Sequence, residues 1–176
     1  MPFDVLYLVE WDLLLLAPLE SLYRSVPDGA VGLTALTPIS ELEEKWTWLT
    51  HEANRRDWED LLALARNEWG YDGTPYGCLA GGSCLPRALL EAYAEIDPPV
   101  LCNDELRLPL FAQILGFPVV DNRLRGTWRG EREHEFFHFR APEIELETIR
   151  AELAKPDGAR AFHPVRRRVD PEMIFA

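Results

Sequence analysis

The chain has 176 residues, of which 47% are hydrophobic and 11% aromatic, so it can build one domain with a substantial core, and global disorder is excluded. Its formal net charge of −12 disfavours long-range attraction to nucleic acid unless a local basic surface or a bridging metal ion compensates. Three cysteines are too few for a disulfide framework. The apolar run from Val5 to Leu16 is interrupted by charge and is shorter than the roughly 20 residues that span a bilayer. A cytoplasmic protein outside the membrane is therefore expected.

The first part of the chain predicts alternating strands and helices. Residues 4–9 are rich in β-branched and aromatic side chains, which predicts a strand buried on both faces. Residues 13–23 predict a helix and residues 30–36 a second strand. Residues 37–65 combine a favourable helix start with apolar residues at helical spacing, and a break is expected near Asn54.

A glycine-rich stretch follows this helical region. Five glycines and one proline fall within residues 70–82, which predicts a long loop of a kind that often carries function. A helix is then expected to begin at Ser83 or Cys84 and to end before Pro98.

The clearest structural signal is a β-α-β unit. Residues 100–102 predict a strand, residues 104–115 a helix and residues 117–120 a second strand. This order implies parallel strands that are joined by a right-handed crossover.

The later chain differs in character, with an edge strand predicted over residues 136–139 and a final helix over residues 142–153. The predicted fold is therefore an α/β domain over residues 1–125, with a three-layer, mostly parallel sheet flanked by helices. Residues 126–176 are expected to form a C-terminal α+β extension that packs on the same domain.

Acidic residues follow several of the predicted strands. In a parallel sheet they would meet at the carboxyl edge, where their mutual repulsion favours a divalent cation. Oxygen ligands indicate Mg²⁺ or Mn²⁺, and two such ions could activate water against a phosphodiester. The candidates are Glu10 and Asp12 after the first strand, Glu43 after the second, Asp104 after the third and Asp121 after the last.

Several of these segments resemble the PIN-like (PIN domain) nuclease superfamily. Residues 8–15 are similar to the family's opening, where an acidic residue ends the first strand and a small polar residue follows two positions later. Residues 100–104 and 115–120 resemble the closing β-α-β unit, and residues 37–44 fall where the family places its second acid. The similarity covers about residues 4–124.

The resemblance implies a metal-dependent ribonuclease that acts on RNA. Glu10, Glu43 and Asp104 would be its catalytic, metal-binding carboxylates, with Asp12 and Asp121 as further ligands. The chain departs from the family in having glutamate in place of the usual first aspartate and in lacking an acid at the start of the helix before the closing unit. Because a missing carboxylate weakens metal binding, a PIN-like fold without nuclease activity stays an alternative.

Two other functions stay open. At a predicted helix start, backbone N–H groups would lower the thiol pKa of Cys84, which could then act as the nucleophile of a cysteine hydrolase with His134 or His138 as its base. Alternatively, the acidic chain is a non-catalytic module, inhibitor or antitoxin-like, that binds a basic protein partner. Four arginines near the C-terminus could form a local basic surface or a solvated terminal segment: Arg160, Arg166, Arg167 and Arg168.

Overall fold

The computed structural model describes residues 3–124, 136–137 and 142–175. Strands and helices follow one another in these ranges as β1 (Val5–Leu8), β2 (Leu14–Leu15), α1 (Leu19–Leu22), β3 (Val31–Pro38), α2 (Ile39–Leu42), α3 (Thr47–Thr50), α4 (Glu52–Trp69), β4 (Tyr76–Pro86), α5 (Arg87–Ala94), α6 (Asp104–Ile114), β5 (Val119–Asp121), α7 (Leu146–Leu153), β6 (Ala161–Phe162) and α8 (Pro171–Phe175). Of the described helices, none combines the length and the apolar composition that crossing a membrane requires.

The main sheet has four strands in the order β1-β4-β3-β5. β4 pairs antiparallel with β1 and with β3, whereas β3 and β5 form the one parallel pair among the described strands. The prediction of a three-layer, mostly parallel PIN-like sheet is therefore wrong, and the fold is a mixed α/β arrangement around a small, mainly antiparallel sheet. A second sheet pairs β2 with β6 and so joins the two ends of the chain.

The predicted β-α-β unit does not form. Residues 100–102 are not a strand, because Val100 is 93% exposed and Cys102 adopts a left-handed backbone with φ of 62°. The helix and the second strand do follow as α6 and β5. However, β5 pairs with β3, so the connection between parallel strands contains β4 and several helices.

The glycine-rich stretch that was predicted as a loop contains most of β4, the longest of the described strands. Gly77 lies where α2 and the residues after it pack on the sheet, and a Cβ there would come within 2.9 Å of Leu42 Cδ1 and of Trp46 Cζ3. Glycine here permits close packing and does not mark a loop. Because β4 includes Ser83 and Cys84, α5 begins later than predicted.

Three helical predictions are also corrected. Residues 13–23 hold β2 and the short α1, which begins after Pro18, a residue whose missing N–H limits helix formation before it. Residues 37–65 form α2, α3 and most of α4, in place of one helix with a single break. The helix predicted from residue 142 begins at Leu146, and α8 follows it.

Four clusters of buried apolar residues stabilise the described part of the fold, and two of them form a larger core in the middle of the chain and a smaller core at its C-terminal end. The larger core lies between the main sheet and helices α4 and α6, which bury apolar faces at helical spacing: Trp58, Leu61, Ala65, Leu106, Leu110 and Phe111. The smaller core belongs to the C-terminal part and is also covered by β2; it includes Ile144, Ile149, Phe162, Val165 and Leu14. The second core holds the β2–β6 pair, and with it the residues on either side, in place.

β1 was predicted to be buried on both faces but lies at an edge of the main sheet. Its residues Val5, Leu6 and Leu8 are each more than 40% exposed. Within the described part of the chain, β1 pairs with β4 alone, so the strand leaves apolar side chains and one line of backbone groups open.

Candidate metal centre

A turn directly after β1 carries two of the predicted ligands, Glu10 and Asp12. The Leu13 N–H donates a hydrogen bond to the Glu10 carbonyl oxygen at 3.1 Å, which closes the turn. Asp12 is only 7% exposed, whereas Trp11 between the two acids is 79% exposed. The turn therefore directs Asp12 into the protein and Trp11 into solvent.

A third potential ligand, His163, follows β6 at the other end of the chain. The pairing of β2 with β6 sets Leu14 opposite Phe162. Val165 then donates its N–H to the Asp12 carbonyl oxygen at 2.7 Å. Backbone contacts on both sides thus bring His163 next to Asp12.

The imidazole of His163 is held in place by its surroundings. Its backbone N–H donates to the Phe136 carbonyl oxygen at 2.7 Å, and its ring packs against Phe137 with the centroids 5.4 Å apart. The His163 side chain is 3% exposed. A buried, oriented imidazole of this kind is pre-organised for binding a cation or for donating a hydrogen bond.

The three side chains converge closely. His163 Nε2 lies 3.2 Å from Glu10 Oε2 and 3.2 Å from Asp12 Oδ1. Their ligand atoms all lie within 4.8 Å of one another, and no other trio of histidine, cysteine or acidic side chains meets this criterion in the part of the chain that the structure describes. Around an ion with bonds of about 2.1 Å, neighbouring ligand atoms are roughly 3.0–3.4 Å apart, so the two 3.2 Å spacings from His163 Nε2 match those of ligands to one divalent cation.

The site is open on one side. The Glu10 side chain is 34% exposed, whereas that of Asp12 is 9% exposed. The N···O distances also allow a protonated Nε2 to donate to both carboxylates. An Nε2–H hydrogen or a metal ion can therefore lie between the two carboxylates, and metal binding at Nε2 would displace the hydrogen.

Arg166 contacts the same group of ligands. Its Nε lies 3.3 Å from Asp12 Oδ2, while Asp12 Oδ1 faces His163. The Arg166 side chain is 42% exposed. Asp12 therefore sits between an imidazole and a guanidinium, and its charge is shared by both.

A β-bulge in β4 shapes the floor of this region. Between the Gly32–Cys84 and Thr34–Leu79 pairs, one residue of β3 opposes four of β4, so residues 80–83 bulge out of the ladder. Side-chain donors satisfy the carbonyl groups that the bulge removes from the ladder: Thr34 Oγ1 to Gly81 O at 2.8 Å, Tyr23 Oη to Gly82 O at 2.9 Å and Asn122 Nδ2 to Gly82 O at 2.7 Å.

Gly81, within this bulge, supports Glu10. A Cβ at Gly81 would lie 3.0 Å from both Cδ and Oε2 of Glu10. The absence of a side chain at this position is therefore what lets the Glu10 carboxylate rest against β4.

A further acid, Glu105, lies near the site. It accepts hydrogen bonds from the Ala80 N–H at 3.4 Å and from Asn103 Nδ2 at 3.0 Å. Burial, with smaller contributions from the negative charges of Glu10 and Asp104, raises the pKa of Glu105 to about 7, although both hydrogen bonds lower it. Neighbouring residues of the bulge therefore contact two carboxyl groups, Gly81 contacting Glu10 and Ala80 contacting Glu105.

Three predicted ligands lie outside the trio. Glu43 caps the C-terminus of α2 and is exposed. Asp104 begins α6, and its side chain is 78% exposed and 3.8 Å from Arg107. Asp121 ends β5, where its carboxylate accepts hydrogen bonds from the backbone N–H groups of Leu36 and of Arg123. Of the five predicted ligands, the structure brings together Glu10 and Asp12 in a group of three.

Cys84 lies within β4 and not at a helix start. It is 4% exposed, and burial raises the pKa of its thiol despite a hydrogen bond with the backbone of Gly32. The predicted lowering of this pKa is wrong, so the alternative of a cysteine hydrolase loses the activation on which it depended. The two histidines proposed as its base, His134 and His138, lie outside the described residues.

His163, Arg166 and Glu105 were not predicted at the site, and Arg166 was considered only as part of a basic C-terminal surface. No pattern in the sequence marks the first two, since the pairing of the two-residue β6 with β2 is what carries them to Asp12. The signal for Glu105 is its place in the first turn of α6, one residue after the predicted Asp104.

Comparisons with protein family models, with curated proteins and with solved structures find no significant match.

Proposed function

We propose that the protein is a metal-dependent hydrolase whose divalent ion is held by Glu10, Asp12 and His163. The observation that supports this most directly is the convergence of an imidazole nitrogen and two carboxylate oxygens from the two ends of the chain, at 3.2 Å spacings. Three protein ligands with one side open to solvent are typical of catalytic sites, whereas structural sites are usually closed by four.

The ligand set favours particular metals. Carboxylates suit Mg²⁺ and Mn²⁺, and an imidazole suits Zn²⁺, Fe²⁺ and their neighbours. Of the two ions expected from the sequence, Mn²⁺ therefore fits this mixed set better than Mg²⁺, which prefers oxygen ligands. A divalent ion bound here would lower the pKa of a coordinated water and so supply a hydroxide nucleophile at neutral pH.

The residues around the ion have separate tasks in this proposal. His163 and Asp12 are buried and provide a fixed base for the site, whereas Glu10 forms its accessible edge. Gly81, in the bulge of β4, leaves room for the Glu10 carboxylate. Ribonuclease activity and an RNA substrate were implied by the resemblance to PIN-domain nucleases, and they stay predictions.

Calorimetric titration of Mn²⁺ tests the proposal. We expect the wild-type protein to bind one ion and Glu10→Gln to bind at least about 100-fold more weakly, since loss of a direct ligand costs more than loss of an outer-shell partner. Glu10 is the ligand of choice for substitution because its side chain is 34% exposed and tolerates a change without unfolding the protein.

Glu43→Gln and Asp104→Asn are the matched controls, since each removes one negative charge from an exposed position outside the trio. Both should bind Mn²⁺ within about twofold of wild type. The proposal fails if the wild-type protein binds neither Mn²⁺ nor Zn²⁺, or if Asp104→Asn loses the ion while Glu10→Gln keeps it.

If the metal proposal fails, the alternative of a partner-binding protein is favoured. A different feature of the structure, the edge strand β1, supports that alternative. β1 is an edge strand with exposed apolar side chains at Val5, Leu6 and Leu8. A strand of another protein could then add to this edge, with main-chain hydrogen bonds providing affinity and side chains providing specificity.

A further inference from the structure

Arg166 is fixed at its backbone and only partly engaged at its side chain. Its N–H donates to Glu143 Oε1 at 2.9 Å, and its Nε lies 3.3 Å from Asp12 Oδ2. Neither Nη1 nor Nη2 of Arg166 forms a hydrogen bond or ion pair within the part of the chain that the structure describes. The side chain is 42% exposed, so these donors are accessible to a ligand.

The neighbouring arginines are engaged elsewhere. Arg167 pairs with Glu143 and Glu145. Arg160 donates to main-chain carbonyl groups between residues 152 and 159. Arg168 is 88% exposed and pairs with Asp170. Among the described residues, Arg166 therefore differs from them in having Nη donors without a partner next to a candidate metal ligand.

The charge of the site changes sign when a metal ion binds. Without an ion, two carboxylates outweigh one guanidinium, and the chain as a whole carries −12, so an anion is repelled. The raised pKa of Glu105 limits its own contribution at neutral pH. A bound divalent ion changes the net charge of the site from negative to positive. An anion is therefore expected to bind after the metal.

Asp12 links the two cations at short range. One of its carboxylate oxygens faces the ligand trio and the other faces Arg166. A single small group can therefore contact the metal ion and the guanidinium together. Phosphate suits this arrangement because the planar guanidinium matches its oxygens in a two-point contact, and because the group that carries the charge is also the group that is hydrolysed.

We propose that Arg166 and the metal ion together bind a phosphoryl group, so that the substrate of the hydrolase is a phosphate ester. This inference rests on the metal-dependent function proposed above. Arg166 would bind the substrate anion, and its contact with Asp12 would keep the guanidinium beside the metal.

Inorganic phosphate is the probe for this inference, titrated by calorimetry into protein with and without saturating Mn²⁺. We expect binding to the Mn²⁺-loaded wild type and at least tenfold weaker binding without the metal. Arg166→Gln should lower phosphate affinity by about tenfold or more while Mn²⁺ affinity stays within about threefold. Arg168→Gln, which removes an exposed charge nearby, should change neither value.

Arg166→Lys keeps the charge and loses the planar guanidinium, so we expect an intermediate loss of phosphate affinity. This variant also provides a test if Arg166→Gln unfolds.

If the wild type binds no Mn²⁺, the proposed function itself fails. If Mn²⁺ binds but phosphate affinity is unchanged in both Arg166 variants, or is equal without the metal, only the inference about phosphate is overturned. Acetate that competes as well as phosphate would overturn the choice of a phosphoryl group.

Discussion

Asp12 and Glu152 are both buried carboxylates, with 7% and 5% exposure, but they find their partners in different ways. Asp12 belongs to the candidate metal centre and contacts Arg166, which lies 154 positions later in the chain. Glu152, near the end of α7, accepts a hydrogen bond from the Ala159 N–H at 3.0 Å and pairs with Lys155. One carboxylate joins the two ends of the chain, whereas the other closes a local turn.

The two regions differ in whether the hydrogen-bond donor beside the carboxylate can be replaced by a metal ion. His163, beside Asp12, has an imidazole nitrogen that can bind a metal ion in place of a hydrogen. The amide of Ala159 and the ammonium of Lys155, beside Glu152, cannot make such an exchange. The turn at Glu152 is therefore expected to affect stability alone, whereas the site at Asp12 combines stability with ligand binding. Because an ion would bind the folded chain only, it would also stabilise the fold.

Glu105 gives the largest expected effect, because it is a half-buried acid whose pKa is raised by burial and by the negative charge of Glu10. Its pKa rises from 4.5 to about 7 on folding. Between these two pH values the folded state keeps a proton that the unfolded state has released. The protonated carboxyl therefore contributes its full stability below pH 4.5. This contribution is lost as the pH rises to about 7. The full shift corresponds to about 3 kcal/mol.

We therefore expect Glu105→Gln to gain up to about 3 kcal/mol relative to wild type between about pH 5 and about pH 8, measured by urea unfolding in the presence of a chelator. The neighbouring Asp104→Asn changes an exposed acid and should show no comparable gain. If both variants followed the pH profile of the wild type, Glu105 would not be the group that carries this pH dependence.

The Glu152 turn provides the second test. Glu152→Gln weakens the charge-assisted contacts to Lys155 and Ala159, and we expect the free energy of unfolding to fall by about 2 kcal/mol. Mn²⁺ affinity should stay within about twofold of wild type. Glu147→Gln, at an 80% exposed position of the same helix, should change stability by less than about 0.5 kcal/mol. A loss of metal affinity in Glu152→Gln would contradict the separation of the two regions.

The sequence was most informative where structure is local. The helix at α4 follows from apolar residues at helical spacing, with Trp58, Leu61 and Ala65 buried on one face. The α6 helix and the β5 strand lie within one or two residues of their predicted bounds. In contrast, the mixed order of the sheet is set by pairing between distant strands, for which the periodicity of a single segment carries no signal.

The residues of the candidate site show the same contrast between local and long-range structure. Glu10 and Asp12 were predicted as ligands because they follow a strand, and the structure places them in one group. His163 could not be predicted, because it reaches that group through the pairing of two strands that have only two residues each. The glycines of β4 led to a wrong prediction. Their local composition indicated a loop, whereas pairing with β1 and β3 on both sides makes this segment a strand.

Gly81 tests whether the bulge in β4 serves the metal site. In Gly81→Ala the added Cβ would lie 3.0 Å from Glu10 Cδ, so the flexible Glu10 side chain has to move away from its two co-ligands. We expect Mn²⁺ affinity to fall by about tenfold, or about 1.4 kcal/mol, with a smaller change in the free energy of unfolding. Calorimetry and urea unfolding measure the two effects separately.

Gly29→Ala is the matched control for Gly81→Ala. Gly29 has a φ of 76°, and its added Cβ would meet no atom within 4 Å, so the substitution strains the backbone by about 1 kcal/mol without touching the site. It should lower stability and leave Mn²⁺ affinity unchanged. If Gly29→Ala lowered the affinity as much as Gly81→Ala does, the affinity would follow overall stability. If neither variant changed it, Glu10 would bind the ion without support from β4, and the bulge would serve only the hydrogen bonds of Tyr23, Thr34 and Asn122.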